Sequence, residues 1–239
     1  MSPERRKLAV AGLAGLVIGG AGVALASRGG DVISSDRSKV ESIVRDYVLA
    51  NPEIIPEAMQ RLQDRRMAEV VDQNRAAFET PFGSAWAGAE DGDVVLVEFF
   101  DYACGYCRKS NADIDRLLQE DKKLKVVWRE LPVLGPDSQA AAEVSLAAAK
   151  QGRFMPFYER LFAAGRPAAE TVARVGQQVG VAPVPGSAEF QAEIDKNYQL
   201  ARAINASGTP TFVVGYKVLQ GAVGYAALKA AIDEARSKG

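Results

Sequence analysis

Residues 93–118 read DVVLVEFFDYACGYCRKSNADIDRLL. Asp93 to Phe100 is a short apolar run with β-branched residues, the composition of a strand buried within a sheet. Asp101 to Ala103 turn the chain, and a helix begins at Cys104 and runs through Leu118. Leu124 to Glu130 (LKVVWRE) repeats the strand pattern. Strand, helix and parallel strand form a βαβ unit, right-handed by the steric rule for such crossovers.

Beyond this unit, Leu134-Gly135-Pro136 opens a helical region. Ser138 to Lys150 is Ala-rich, Phe154 to Phe162 adds aromatics, and further helices are predicted over Pro167 to Val179 and Ser187 to Asn205. Thr211 to Val214 (TFVV) is a strand, Gly215-Tyr216-Lys217 a hairpin turn, and Val218 to Gln220 the returning strand. Tyr225 to Arg236 is a final helix. The pattern is α/β: a mixed domain over residues 82–239, split by an all-helical insertion from about 135 to 205. Phe82 to Gly92, with three glycines, reads as a loop.

Upstream, Asp36 caps a helix to about Ala50, with Val40, Ile43, Val44 and Tyr47 on one apolar stripe. Asn51-Pro52 ends it, and a second helix is predicted to about Ala77. Residues 27–81, including a short polar linker at Arg28 to Ser35, are a helical arm. It either packs on its own domain or serves as an oligomerisation stalk. Residues 1–26 place Arg5, Arg6 and Lys7 before an uncharged apolar run, Leu8 to Ala26, that ends in Ala24-Leu25-Ala26. That is the form of a signal peptide, and the run also has the length of a membrane anchor. Either reading exports the rest of the chain, because positive flanks stay in the cytoplasm.

Composition narrows the chemistry. The 239 residues suit one domain with an insertion, or one domain plus a helical arm. A net charge of −1 offers no basic surface, so nucleic acid is not an expected partner. No histidine is present, which removes Ser-His-Asp and Cys-His hydrolases and His-ligated metals. The only two cysteines are Cys104 and Cys107. They are too few for a zinc site without histidine, and a bridge between them closes too small a loop to act as a structural staple. No cofactor is called for.

A thiol at the start of a helix meets free backbone N–H groups and the positive end of the helix dipole, which stabilise its thiolate. Cys104 is therefore the expected nucleophile, and Cys107, one turn on, the buried resolving thiol. Glu98 lies six residues earlier inside a hydrophobic strand. It is either a proton relay to Cys107 or a glutamate on a half-exposed strand face. Thr209-Pro210 precedes a strand, where a proline is tolerated. A cis bond there would expose the backbone of Thr209 to an extended substrate.

Together, Glu98, Cys104-Gly105-Tyr106-Cys107, Thr209-Pro210 and the placement of the helical insertion resemble the thioredoxin superfamily, and within it the DsbA-like branch. The resemblance spans about residues 93–236. The Cys-Gly-Tyr-Cys pair and the Asn51-Pro52-Glu53 arm are similar to the subgroup that includes the copper-sensitivity suppressor ScsC, in which such an arm drives oligomerisation. The resemblance implies a cis Pro210 facing the cysteines, with Cys104, Cys107, Glu98, Thr209 and Pro210 as site residues. It implies cysteine-containing exported proteins as substrates and a membrane redox partner, oxidising or reducing, in the periplasm or an equivalent compartment. The chain departs from typical oxidases of the branch by lacking Pro-His between its cysteines and by having Thr209 before the proline. Both departures argue against strong oxidising power. Three functions follow: disulfide formation; isomerisation or reduction by a form kept reduced at the membrane; and Cu(I) handling by the two soft thiols.

Overall fold

The computed structural model describes residues 36–181 and 186–238. The leader or anchor at 1–26 and the linker after it lie outside the described residues. Among those described, no helix is long and apolar enough to cross a membrane. The chain divides into two compact units, one ending at Arg61 and the other starting at Leu62.

The first unit holds helix α1, described over residues 36–50, and the first turns of α2 (Ile54–Gln73). Val40, Ile43, Val44 and Tyr47 are all more than half exposed. The second helix of the arm ends sooner than its periodicity suggested. Asn74 folds its side-chain amide onto the carbonyl of Val70 (2.8 Å), competing with the helical ladder, and a separate short helix α3 (Arg75–Glu79) follows.

In the second unit the sheet contains β1 (Trp86–Gly88), β2 (Val94–Phe100), β3 (Leu124–Glu130), β4 (Thr211–Val214) and β5 (Lys217–Gln220), in the order β1-β3-β2-β4-β5. Helix α4 (Gly105–Glu120) joins the parallel strands β2 and β3. β4 runs antiparallel to β2 and continues into the β4–β5 hairpin. β1 corrects the expectation of a plain loop over 82–92: Trp86, Ala87 and Gly88 pair antiparallel with β3. Three residues including a glycine leave no alternation to read. Helices α5 (Pro136–Lys150), α6 (Phe154–Ala163), α7 (Ala169–Gln178) and α8 (Ala188–Ala203) lie between β3 and β4 in the chain, and α9 (Tyr225–Lys238) closes it.

Both faces of the central strands are buried, which is why β2 and β3 read as continuous apolar runs. Leu96 and Phe100 of β2 join Val126, Trp128, Phe212, Ile114 and the aromatics of α6 in one core. Val97 and Phe99 face the other way, with Val71, Phe78, Leu200 and Ile204. The first core receives the small face of α5, where Ala141, Ala142, Ala147, Ala148 and Ala149 are fully buried. Gly83 shows how tightly this packs. Its φ is +53°, and a Cβ there would stand 2.5 Å from the carbonyl oxygen of Ala149.

Candidate active site

The site lies where β2 ends and α4 begins. Cys104 is the N-cap of α4, with φ −80° and ψ 114°. Asp101 explains the turn that delivers it. Its carboxylate accepts from the N–H of Ala103 (2.7 Å), the hydroxyl of Ser138 (2.7 Å) and the N–H of Leu134 (3.0 Å). One buried side chain thus pins the loop before the cysteine to the loop after β3 and to the first turn of α5. The local bond to Ala103 is an Asx turn, legible from an aspartate between strand and helix. The two distant bonds are not.

The N–H of Cys107 points at Cys104 Sγ (3.4 Å), and the Cys104 thiol lies 3.2 Å from the carbonyl oxygen of Thr209. The Thr209–Pro210 peptide is cis. Residues 104 and 209, far apart in the chain, thus meet at one sulfur. Cys104 is less open than a helix-start position implied: it retains 6% exposure, against none for Cys107.

The two sulfurs differ sharply in acidity. Cys104 is brought down to about 5, first by a hydrogen bond from the Cys107 thiol, then by Thr209 and the N–H groups of Cys107 and Tyr106, against the opposing effect of burial. The sequence pointed to the helix start as the cause. The neighbouring thiol is the larger one. Cys107 is pushed far up by burial, and further by its hydrogen bond to Cys104 and by the charge of Glu98.

Glu98 is fully buried in central strand β2, which removes the half-exposed alternative. Its Oε2 accepts from Trp128 Nε1 (2.9 Å) and Tyr158 Oη (3.4 Å), while Oε1 has no partner. Burial raises its pKa to about 8. A second acid, Glu130, escaped the sequence reading because it sits at the polar end of LKVVWRE. It pairs across from Phe100, is buried, and leaves its own Oε1 without a partner. Burial raises its pKa well above the ordinary carboxylate range, and Asp101 and Glu98 add to this. Beneath them Tyr102 Oη and Ser145 Oγ share a hydrogen bond of 2.8 Å. Around the site, Tyr106, Val133 and Leu134 are exposed apolar side chains.

Comparison with known proteins matches residues 95–233 to the DSBA-like thioredoxin domain and residues 36–69 to the N-terminal domain of the copper resistance protein ScsC. A linker-deletion mutant of ScsC from Proteus mirabilis is 25% identical with a TM-score of 0.70, covering 85% of this chain and 96% of that one. A thioredoxin-like oxidoreductase from Silicibacter pomeroyi is 36% identical with a TM-score of 0.63, covering 69% and 98%. The Na(+)/H(+) antiporter NhaA 3 of Salinispora tropica is 30% identical over 162 residues, which are 62% of this chain and 24% of the antiporter. The chain thus spans about a quarter of the length of the first curated relatives it matches.

Proposed function

The chain belongs to the family of DsbA-like thioredoxin domains, and on that premise we propose that it is a thiol–disulfide oxidoreductase that forms disulfides in exported proteins. One observation carries the reading: the pair is split into an acidic sulfur at a helix start, touching Thr209, and a sealed sulfur one turn on. A substrate thiolate attacks Cys104 of the oxidised pair. Cys107 leaves with the bonding electrons and takes a proton from Glu98, the buried acid whose charge acts on it. A second substrate thiolate attacks the substrate sulfur, and Cys104 departs as a stabilised thiolate. Stabilising the reduced form makes the disulfide oxidising, so the acidity of Cys104 favours disulfide formation over the isomerase or reductase reading.

A membrane oxidant restores the pair, outside the cytoplasm, with residues 1–26 acting as a cleaved signal or a retained anchor. N-terminal sequencing of the mature protein separates these two. The same reading takes the arm as an assembly segment that buries Val40, Ile43, Val44 and Tyr47 against other copies of the chain. Its support is their exposure and the match of residues 36–69. Light scattering of the mature chain and of a Val44→Asp, Tyr47→Asp variant tests it, and an unchanged monomer in both rejects it.

The decisive experiment for the activity is trapping in intact cells. Cys104→Ser is expected to abolish exchange, and Cys107→Ser to accumulate mixed disulfides through Cys104. A wild-type pair found oxidised at steady state supports disulfide formation. A pair found reduced gives the isomerase or reductase reading instead.

A further inference from the structure

Glu98 is sealed in the core, so a proton it gives to Cys107 has to be replaced from water by some route. Its two polar neighbours are unequal. The indole N–H of Trp128 donates and cannot accept, so it cannot pass a proton along. The hydroxyl of Tyr158, on α6, can. It lies 3.4 Å from Glu98 Oε2 and 2.9 Å from Asn111 Oδ1, with one proton and two acceptors in reach. Tyr158 is buried, whereas Asn111 is half-buried, one turn beyond Cys107 on the same face of α4.

We propose that Tyr158 carries protons between Glu98 and water, with Asn111 orienting its hydroxyl at the solvent end and passing none itself. The proposal rests on the reading of Glu98 as the acid and base of Cys107. When Cys107 leaves and takes the Glu98 proton, the new carboxylate receives the hydroxyl proton of Tyr158 while a water at the Asn111 end gives one to the Tyr158 oxygen, which therefore stays neutral. In the return half-reaction a mixed disulfide on Cys104 is attacked by Cys107. The Cys104–Cys107 bond forms, the bond to the partner sulfur breaks, and the Cys107 proton goes to ionised Glu98. Glu98 must first have discharged its own proton by the same path. Electrons move only between sulfurs.

The groups facing Glu98 are Cys104 and Cys107 from the start of α4, Tyr158 from α6 and Glu130 from β3, while β4 places Phe212 opposite. None is a cation, so nothing in this set holds Glu98 ionised at neutral pH. Burial and Glu98 keep the Tyr158 hydroxyl neutral, which suits a relay and not a base.

The test uses the full chain in two half-reactions followed by acid quench and mass spectrometry. Oxidised protein meets excess cysteine peptide, and reduced protein meets oxidised glutathione. Glu98→Gln is expected to slow both by about a hundredfold, at the low end of general acid–base effects. Tyr158→Phe should leave the first half-reaction within about twofold, because Glu98 starts protonated, yet slow ring closure in the second about as much as Glu98→Gln does. The double variant should be no slower than Glu98→Gln alone. The Tyr158→Phe defect should shrink above about pH 8, where Glu98 begins ionised, while that of Glu98→Gln persists. Asn111→Ala, at the open end of the path, should give a weaker defect of the same form. If Glu98→Gln slows exchange and Tyr158→Phe does not, the path is wrong and Glu98 keeps its role. If Glu98→Gln matches wild type, the role of Glu98 itself is wrong. Equal slowing of both half-reactions by Tyr158→Phe marks a packing defect and also overturns the path.

Discussion

The central sheet buries ionisable side chains on both of its faces, and it treats them differently. On one face Arg129 of β3 is closed off completely. Its Nε donates to the carbonyl of Phe78 (2.9 Å), its Nη1 to Glu193 (2.9 Å) and Asn197 (3.0 Å), and its Nη2 to the carbonyls of Thr80 (2.7 Å) and Ala77. It caps the end of α3 and ties it to α8. On the other face Glu98 and Glu130 each keep an oxygen without a partner. A buried charge with every donor matched is architecture: it fixes one arrangement and has nothing left to exchange. A buried acid left partly unmatched, next to two cysteines, can release and accept a proton at small rearrangement cost.

The largest expected effect tests the first half of this contrast. Arg129→Met keeps the volume and takes the arginine partner from Glu193 Oε1, Asn197 Oδ1 and three carbonyls. Removing one partner of a buried pair typically costs about 3–5 kcal/mol. We expect a fall of that size in unfolding free energy from guanidinium melts, with the ultraviolet thiolate titration of Cys104 unchanged in the folded protein. A loss below about 1 kcal/mol, the range of surface ion pairs, would show that the network adds little and dissolve the contrast.

Arg129 also marks the limit of what the sequence discloses. The βαβ unit was legible because burial on both faces makes apolar runs, and Cys104 because a strand-to-helix junction fixes its surroundings locally. Arg129 and Glu130 looked like the polar end of a strand. Only the arrival of α3, α5 and α8 from distant parts of the chain turns that end into core. Asp101 was half legible: its bond to Ala103 is local, but Ser138 and Leu134 come from beyond β3. The cis-proline loop was legible through family resemblance, since Thr209-Pro210 alone has no pattern that forces it toward residue 104.

The second effect concerns Glu98 and pH. Its ordinary value is 4.5, and burial raises it to about 8. Between these limits the folded protein holds a proton that the unfolded chain has lost, so stability falls as pH rises through the window. The slope from this one group is at most about 1.4 kcal/mol per pH unit. Comparing oxidised wild type with oxidised Glu98→Gln removes the cysteine contribution. We expect the variant to gain on wild type by at least about 1–2 kcal/mol between pH 5 and pH 8 in chemical denaturation. A difference that stays constant with pH would mean that Glu98 is already ionised and matched, like Arg129 on the opposite face.

The smallest effect tests what sets the acidity of Cys104. Its pKa falls from 9.0 to about 5, with the Cys107 thiol as the first cause and the helix-start N–H groups behind it. The chain does this without an imidazole between its cysteines. Tyr106 occupies that place and is 68% exposed, so a histidine put there sits largely in water. A charge so placed interacts with the thiolate by about 1 kcal/mol or less, after screening. Tyr106→His is therefore expected to lower the Cys104 pKa by less than about one unit. Only the reduced form carries the thiolate, so the reduction potential should rise with it, by less than about 30 mV. Thiolate absorbance and a glutathione titration read the two quantities independently, and they should move together. If neither moves, water screens position 106 fully and the tuning belongs to Cys107, Thr209 and the helix-start N–H groups. A shift well beyond one unit would show that position 106 is far less solvated than its exposure implies. The sulfur pair would then be governed by the charge beside it, and the neighbouring thiol would lose its place as the first cause.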